Sequence, residues 1–271
     1  MLRDSMELPL TDVNLLKPIS VELDASIGEV RRIMRDSGAR VVVVVGIEGT
    51  LLGVIYRSSI LRFTSSKSNA TARDIMEDPR VFFTLSTKLS HAVRLMLKYD
   101  EWYAPVVDDS MTLLGILGLE IPINILVRTG AYRGIRISDI MTRDVEYVLE
   151  GESLTRVWEI MVEKRYAGVP VTDSKGVLRG IVTQYDLIKR GYTRIELESE
   201  GSPPRRVKVS SAMNRSVEYL TPEDTAERAA ELMLYRGYGR IPVVSSRAER
   251  VLMGIVDRED LLKPYFKLEI H

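Results

Sequence analysis

The sequence predicts an α/β (α+β) fold built from four copies of one strand–helix–strand–strand–helix unit. Three observations predict it. Four methionines, Met34, Met96, Met161 and Met233, share a common frame. Each lies seven residues after a small or apolar residue (Ile27, Leu89, Leu154, Ala226) and nine before the same place in a following apolar run (Val43, Pro105, Pro170, Pro242). A glycine then recurs ten residues on, at Gly53, Gly115 and Gly180, or twelve on, at Gly254. Self-similarity at a fixed period marks a repeat architecture.

Each unit opens on a lead-in. Asp74-Ile75-Met76, Asp139-Ile140-Met141 and Ser211-Ala212-Met213 each stand thirteen residues before the helix anchor, and the first unit has Lys17-Pro18-Ile19-Ser20 instead. Extended segments follow at Val81 to Thr84, Val145 to Val148 and Val217 to Leu220. An amphipathic helix comes next. Ile27, Val30 and Met34, like Leu154, Val157 and Met161, fall at the i, i+3, i+7 positions of one face. Asp24 is read as the start of the first helix, and Thr221-Pro222-Glu223-Asp224 as a capping-box start of the fourth. The methionine stripe reads as core packing. Buried strands are predicted at Val41 to Val45, Ala104 to Val107, Val169 to Thr172 and Ile241 to Val244. Polar turns such as Asp173-Ser174-Lys175-Gly176 lead to second strands near Leu51, Leu113, Leu178 and Leu252. A short helix closes the unit, as in Ser58 to Phe63 and Tyr185 to Lys189.

Composition narrows the function. The chain has 271 residues, no cysteine and two histidines, His91 and His271. That removes thiol catalysis and cysteine metal sites and leaves little for a histidine metal site or a Ser-His-Asp triad. Thirty-eight basic residues balance thirty-eight acidic ones, which argues against broad capture of nucleic acid. Arg205, Arg206 and Lys208 read as a solvated linker. No apolar run reaches the roughly 20 residues of a membrane span, and the N-terminus lacks a signal peptide's apolar core. The expectation is a soluble, cytoplasmic protein. No nucleophile–base pairing, metal cluster or glycine-rich phosphate loop is found, so no enzyme and no cofactor are expected.

The stretch Gly180-Ile181-Val182-Thr183-Gln184-Tyr185-Asp186 carries the candidate chemistry. A hydroxyl at a strand-to-helix junction, beside free helix N–H groups, suits a phosphate. A carboxylate three residues on accepts from two sugar hydroxyls. Thr and Asp also cap helices, so the pair alone reads equally well as a cap.

The Asp-Ile-Met lead-in, the apolar-Pro-Val strand and the Gly-Ile-Val-Thr-x-x-Asp-Leu end resemble the cystathionine beta-synthase (CBS) domain, over about residues 11 to 266. The expected repeats are 11–66, 71–130, 135–193 and 208–267, with a linker at 194–207 around Glu198-Ser199-Glu200-Gly201-Ser202-Pro203-Pro204. The resemblance implies two pseudo-two-fold pairs, a layout similar to the gamma subunit of AMP-activated protein kinase. It also implies clefts for adenosine-containing ligands, a regulatory role toward a partner protein, and further association, here expected as a homodimer.

It assigns Thr183 to phosphate and Asp186 to ribose. The fourth copy keeps Asp260 but has Asp257 where the hydroxyl belongs. A carboxylate there repels phosphate by about 1–4 kcal/mol unless a cation offsets it. Arg240 resembles a phosphate-contacting arginine, and Arg40, one place earlier in its own copy, matches only weakly. Adenine contacts are implied at Val145 and at Tyr166, Ala167, Gly168, Val169 and Pro170. The fourth copy supplies Val217 and Gly239, Arg240, Ile241 and Pro242. The first copy has Tyr56 and Ser59 at the clamp positions, and the second Gly118 and Ile121, so both read as degenerate. The resulting expectation is a sensor of AMP, ADP or ATP using the third and fourth repeats. The alternatives are a scaffold with vestigial clefts, or a binder of S-adenosylmethionine.

Overall fold

The computed structural model describes residues 5–62, 69–192 and 207–266. The first unit consists of β1 (Ser20–Glu22), α1 (Ile27–Ser37), β2 (Val41–Val45), β3 (Leu51–Tyr56) and α2 (Arg57–Arg62). The second comprises α3 (Ala72–Ile75), β4 (Phe83–Thr84), α4 (Leu89–Lys98), β5 (Tyr103–Val107), β6 (Leu113–Gly118) and α5 (Glu120–Arg128). The third has α6 (Ile137–Ile140), β7 (Val148–Leu149), α7 (Leu154–Glu163), β8 (Gly168–Thr172), β9 (Leu178–Thr183) and α8 (Gln184–Arg190). The fourth has α9 (Val209–Ala212), α10 (Ala226–Tyr235), β10 (Arg240–Val244), β11 (Leu252–Asp257) and α11 (Arg258–Leu262).

One register recurs in every sheet. The lead-in strand pairs parallel with the central strand at Val21–Val44, Phe83–Val106 and Val148–Val171. A single parallel bridge, Leu220–Val243, takes its place in the fourth. The central strand then pairs antiparallel with the last, and each ladder is interrupted at the same step, such as Val44/Val45 and Val243/Val244. β-Branched runs such as Val41–Val45 suit a strand covered on both faces, and Val42, Val43 and Val44 are fully buried.

The repeated glycines explain how the units pair. Val54 bridges Glu77 and Leu16 bridges Ile116, so the first two units exchange lead-ins across each other's last strands. The third and fourth do the same through Ile181–Asn214 and Thr142–Ile255. A Cβ on Gly180 would lie 2.6 Å from the Asn214 carbonyl oxygen, and one on Gly254 would lie 2.8 Å from that of Thr142. Only glycine admits the partner's backbone there.

Helices join the two pairs. α2 packs on α7 and α8, while α5 packs on α10 and α11. The two large cores therefore cross between pairs. Val30, Met34, Ile60, Val157, Met161 and Leu187 share one, and Met96, Ile123, Leu126, Met233 and Leu261 share the other.

Two helix starts differ from the sequence expectation. The first helix is capped by Ser26, whose Oγ accepts Glu29 N–H at 3.1 Å, not by Asp24. In the fourth unit Asp224 accepts the Thr221 N–H at 2.8 Å, so the Thr-x-x-Asp box closes a separate turn. Thr225 then caps α10 by accepting Arg228 N–H at 3.2 Å. Phe63, His271 and the linker residues 194–206, Arg205 and Arg206 included, lie outside the described residues.

Candidate ligand cleft

Thr183 ends β9 and Asp186 stands in the first turn of α8. Thr183 Oγ1 accepts Asp186 N–H at 3.1 Å and donates to Asp186 Oδ2 at 2.6 Å. The same carboxylate oxygen accepts Thr183 N–H at 2.9 Å. The capping box thus forms, and it holds hydroxyl and carboxylate rigidly side by side at the wall of a cavity of about 760 Å³. The lead-in of the fourth unit adds Asn214, Ser216, Val217 and Glu218 to the lining. It is pinned to β9 by paired hydrogen bonds of 2.8 and 3.0 Å between Asn214 and Ile181.

Of the residues singled out in the sequence, Ala167, Gly168, Thr183, Asp186, Val217, Gly239 and Arg240 line this cavity. Val169, Pro170, Ile241 and Pro242 do not; they are buried in the strands behind it. Val145 lines a separate surface groove with Tyr147 and Leu149. Asp257, Asp260 and Tyr166 also stand apart from the cavity. Asp257 accepts Glu259 N–H at 2.9 Å and Asp260 N–H at 3.2 Å, capping α11. Asp260 is 5% exposed and accepts from Asp257 N–H, Thr142 Oγ1 and Lys263 Nζ. Burial, and then the Asp257 charge, push its carboxyl up to about 7. Arg240 lies against the Tyr166 ring with its Nη2 3.6 Å from Asp257 Oδ2, so the fourth clamp already faces a cation of this chain.

The first pair's clamps are also occupied. The Tyr56 hydroxyl donates to the buried Glu101 carboxylate, and Ser59 Oγ donates to Glu77 at 2.7 Å. A Cβ at Gly118 would run into the Glu120 carboxylate and come within 2.9 Å of Leu16 Cδ1, so no hydroxyl fits that position.

The first pair supplies the cavity's far end: Arg40, which the sequence matched only weakly, and Arg57, Tyr103 and Glu120, which sequence reasoning missed. Arg57 is 8% exposed and donates to the Gly38 and Ala39 carbonyls. Its guanidinium lies 4.9 Å from the Tyr185 ring centroid, and the Tyr185 hydroxyl donates to Arg35 O at 3.1 Å. Arg40 donates to Gly237 O, linking the first unit to the fourth. Arg258, 3% exposed, donates to Glu120 at 2.9 Å and to the Tyr103 hydroxyl, linking the fourth to the second. Burial, then the neighbouring Arg40 charge, lower Arg57 to about 9; burial likewise lowers Arg40. With its guanidinium at about 9, Arg57 remains a cation at neutral pH. Guanidiniums crowded together and short of counter-charge favour a bound anion. A signal was available: Arg57 and Arg258 occupy the same place in their copies, one residue after the clamp position.

Among the described residues no helix is long and apolar enough to cross a membrane, and no group of three or more His, Asp or Glu is placed to hold a metal ion.

Comparison with known proteins bears on this architecture directly. The CBS-domain family model matches residues 10–66, 72–120, 137–192 and 209–266. The chain therefore belongs to the CBS-domain family and carries four tandem repeats, a layout similar to the AMP-activated kinase gamma subunit. Protein MJ1225 of Methanocaldococcus jannaschii is 28% identical over 203 residues, covering 73% of this chain and 70% of the relative. The crystal structure of MJ1225, which is put forward as an archaeal homologue of γ-AMPK, superposes with a TM-score of 0.82. That match has 24% identity and covers 93% of this chain and 98% of that one. A conserved protein of Pyrococcus horikoshii gives a TM-score of 0.62 at 25% identity, covering 95% of this chain and 99% of that one. A homoserine O-acetyltransferase of Methanohalobium evestigatum is 30% identical over 125 residues, which is 46% of this chain and 23% of the enzyme.

Proposed function

We propose that this protein is a regulatory module that binds an adenine nucleotide, AMP, ADP or ATP, in the cleft between its third and fourth repeats. One observation carries the reading. A single cavity of about 760 Å³ joins the Thr183–Asp186 clamp to Arg40, Arg57, Arg240 and Arg258. Asp186 suits ribose hydroxyls, Thr183 the first phosphate, and the arginines the rest of a polyanion. Half-buried apolar positions such as Ala167 and Val217 suit the base. The described resemblance of MJ1225 to γ-AMPK supports the same reading. The chain acts without catalysis, as a cytoplasmic homodimer that passes the ligand's state to a partner protein. Its match to the acetyltransferases reflects a shared CBS region.

Isothermal titration of ligand-stripped protein with AMP, ADP, ATP, adenosine and S-adenosylmethionine tests this. A phosphorylated ligand binds, and Asp186→Ala abolishes that binding. A second reading, a CBS scaffold without ligand, is favoured by the three clamps filled with their own side chains. It becomes the answer if none of the five compounds binds at millimolar concentration.

A further inference from the structure

A phosphorylated ligand in the third repeat's cleft would draw on Arg240, and Arg240 is already engaged. Its Nη2 lies 3.6 Å from Asp257 Oδ2, and the two side chains are 14% and 15% exposed. The guanidinium stacks 4.4 Å from the Tyr166 ring centroid and 5.9 Å from that of Trp102. These are contacts of charge and stacking. The 3.6 Å separation exceeds a hydrogen bond, and Arg240 Nε is buried with no hydrogen-bond partner among the described residues. Arg240 lines both the main cavity and an adjoining space of about 100 Å³ that also touches Tyr56 and Trp102. Asp257 is fixed by contrast, because its Oδ1 caps α11 through Glu259 and Asp260 N–H. A stationary carboxylate faces a cation that is loosely held.

We propose that Asp257 is an internal counter-anion that competes with the ligand's phosphate for Arg240. Asp257 thereby sets how strongly the neighbouring cleft prefers phosphorylated over unphosphorylated nucleosides. This rests on the nucleotide reading of that cleft. A phosphate offers the guanidinium paired oxygens in a geometry that Asp257 does not provide here. Binding a nucleotide exchanges one anion for the other, so its net affinity is lowered by whatever the Arg240–Asp257 pair is worth. A nucleoside without phosphate leaves the pair intact and gains nothing from breaking it. The carboxylate at the fourth repeat's hydroxyl position then has a role beyond repelling ligand: it tunes the third repeat's site from next door.

The test is calorimetric titration of the full chain with AMP and with adenosine, using wild type, Asp257→Asn, Arg240→Ala and the double variant. Asparagine is as good a helix cap as aspartate, so Asp257→Asn keeps α11 capped, and a melting curve confirms folding. Asp257→Asn raises AMP affinity on the order of tenfold and leaves adenosine unchanged. Arg240→Ala lowers AMP affinity alone, and in that background Asp257→Asn no longer changes it. A gain that persists without Arg240 would overturn the competition, because it would be a general effect of removing a negative charge. An unchanged AMP-to-adenosine ratio in Asp257→Asn overturns it too. If AMP binding is still lost with Asp186→Ala in that case, the nucleotide reading stands. If neither compound binds any of the four proteins, both readings fall.

Discussion

Replacing Glu120 by Gln will destabilise the protein more than its half-buried position suggests. Glu120 is the counter-charge of Arg258, whose side chain is 4% exposed, at 2.9 Å. It also accepts the Tyr103 hydroxyl at 3.3 Å. Arg258 Nε has no hydrogen-bond partner among the described residues, so Glu120 supplies most of what compensates this buried cation. Removing one partner of a buried pair costs about 3–5 kcal/mol. The Glu120 side chain is 24% exposed and glutamine keeps an acceptor, which brings the expected loss to about 2 kcal/mol. At roughly 2–4 °C per kcal/mol for a chain of this size, the midpoint falls by about 4–8 °C. Urea unfolding read by linear extrapolation measures the same loss without heating. The companion variant Glu120→Leu/Arg258→Met removes both charges and recovers most of the stability, since apolar groups of similar volume often replace a buried pair at no cost. The reasoning is refuted if Glu120→Gln lies within about 0.5 kcal/mol of wild type, or if the double variant is less stable than the single.

Two further outcomes follow from the same geometry. Burial raises Asp257, Glu259 and Glu101, and holds Asp260 up to about 7. Asp260 therefore binds its proton more tightly in the folded state, so its stabilising contribution is full below about pH 4 and is lost as pH rises through about 7, and the other raised carboxyls act in the same sense. The lowered carboxylates Glu7, Glu146 and Asp173 act in the opposite sense, at the acid end of the range. Thermal midpoints therefore fall between about pH 5 and about pH 8, and Asp260→Asn flattens that slope; an equal slope in the variant would contradict the assignment. Gly180→Ala places a methyl 2.6 Å from Asn214 O, pushes the fourth unit's lead-in off β9, and costs about 1–3 kcal/mol. Because that lead-in walls the cleft, AMP affinity drops as well, and calorimetry that shows wild-type affinity would sever the link between the glycine and the site.

What the sequence made legible was whatever is local or repeated. Val41–Val45 announced a buried strand through its side chains alone, and the methionine frame placed α1, α4, α7 and α10. Capping was less legible, because Thr, Ser and Asp crowd the helix starts and only backbone geometry selects among them. Ser26 outcompetes Asp24, and Asp224 is spent on Thr221. The Thr183–Asp186 capping box was readable, since its hydrogen bonds lie within four residues. The cavity's far end was not. Arg57, Arg258 and Glu120 converge only because α2 packs on α8 and α5 on α11. No spacing within one repeat encodes contacts between repeats separated by more than a hundred residues.

The four clamps differ in what meets the position of the hydroxyl. At Tyr56 a hydroxyl is present but is spent on the buried Glu101. At Gly118 the side chain is absent, and the Glu120 carboxylate fills the space while holding Arg258. At Asp257 the group is itself a carboxylate and holds Arg240. Each closed clamp therefore has an internal carboxylate where a ligand's anion would otherwise sit. Thr183 also donates to a carboxylate, Asp186 Oδ2, but to one in its own helix cap, and of the four clamp positions it is the one that lines the cavity of about 760 Å³. The closed clamps are thereby tied to the cavity beside Thr183. Glu120 and Asp257 each hold an arginine, Arg258 and Arg240, that lines the cavity beside Thr183, so a phosphorylated ligand placed there would meet arginines already paired with carboxylates.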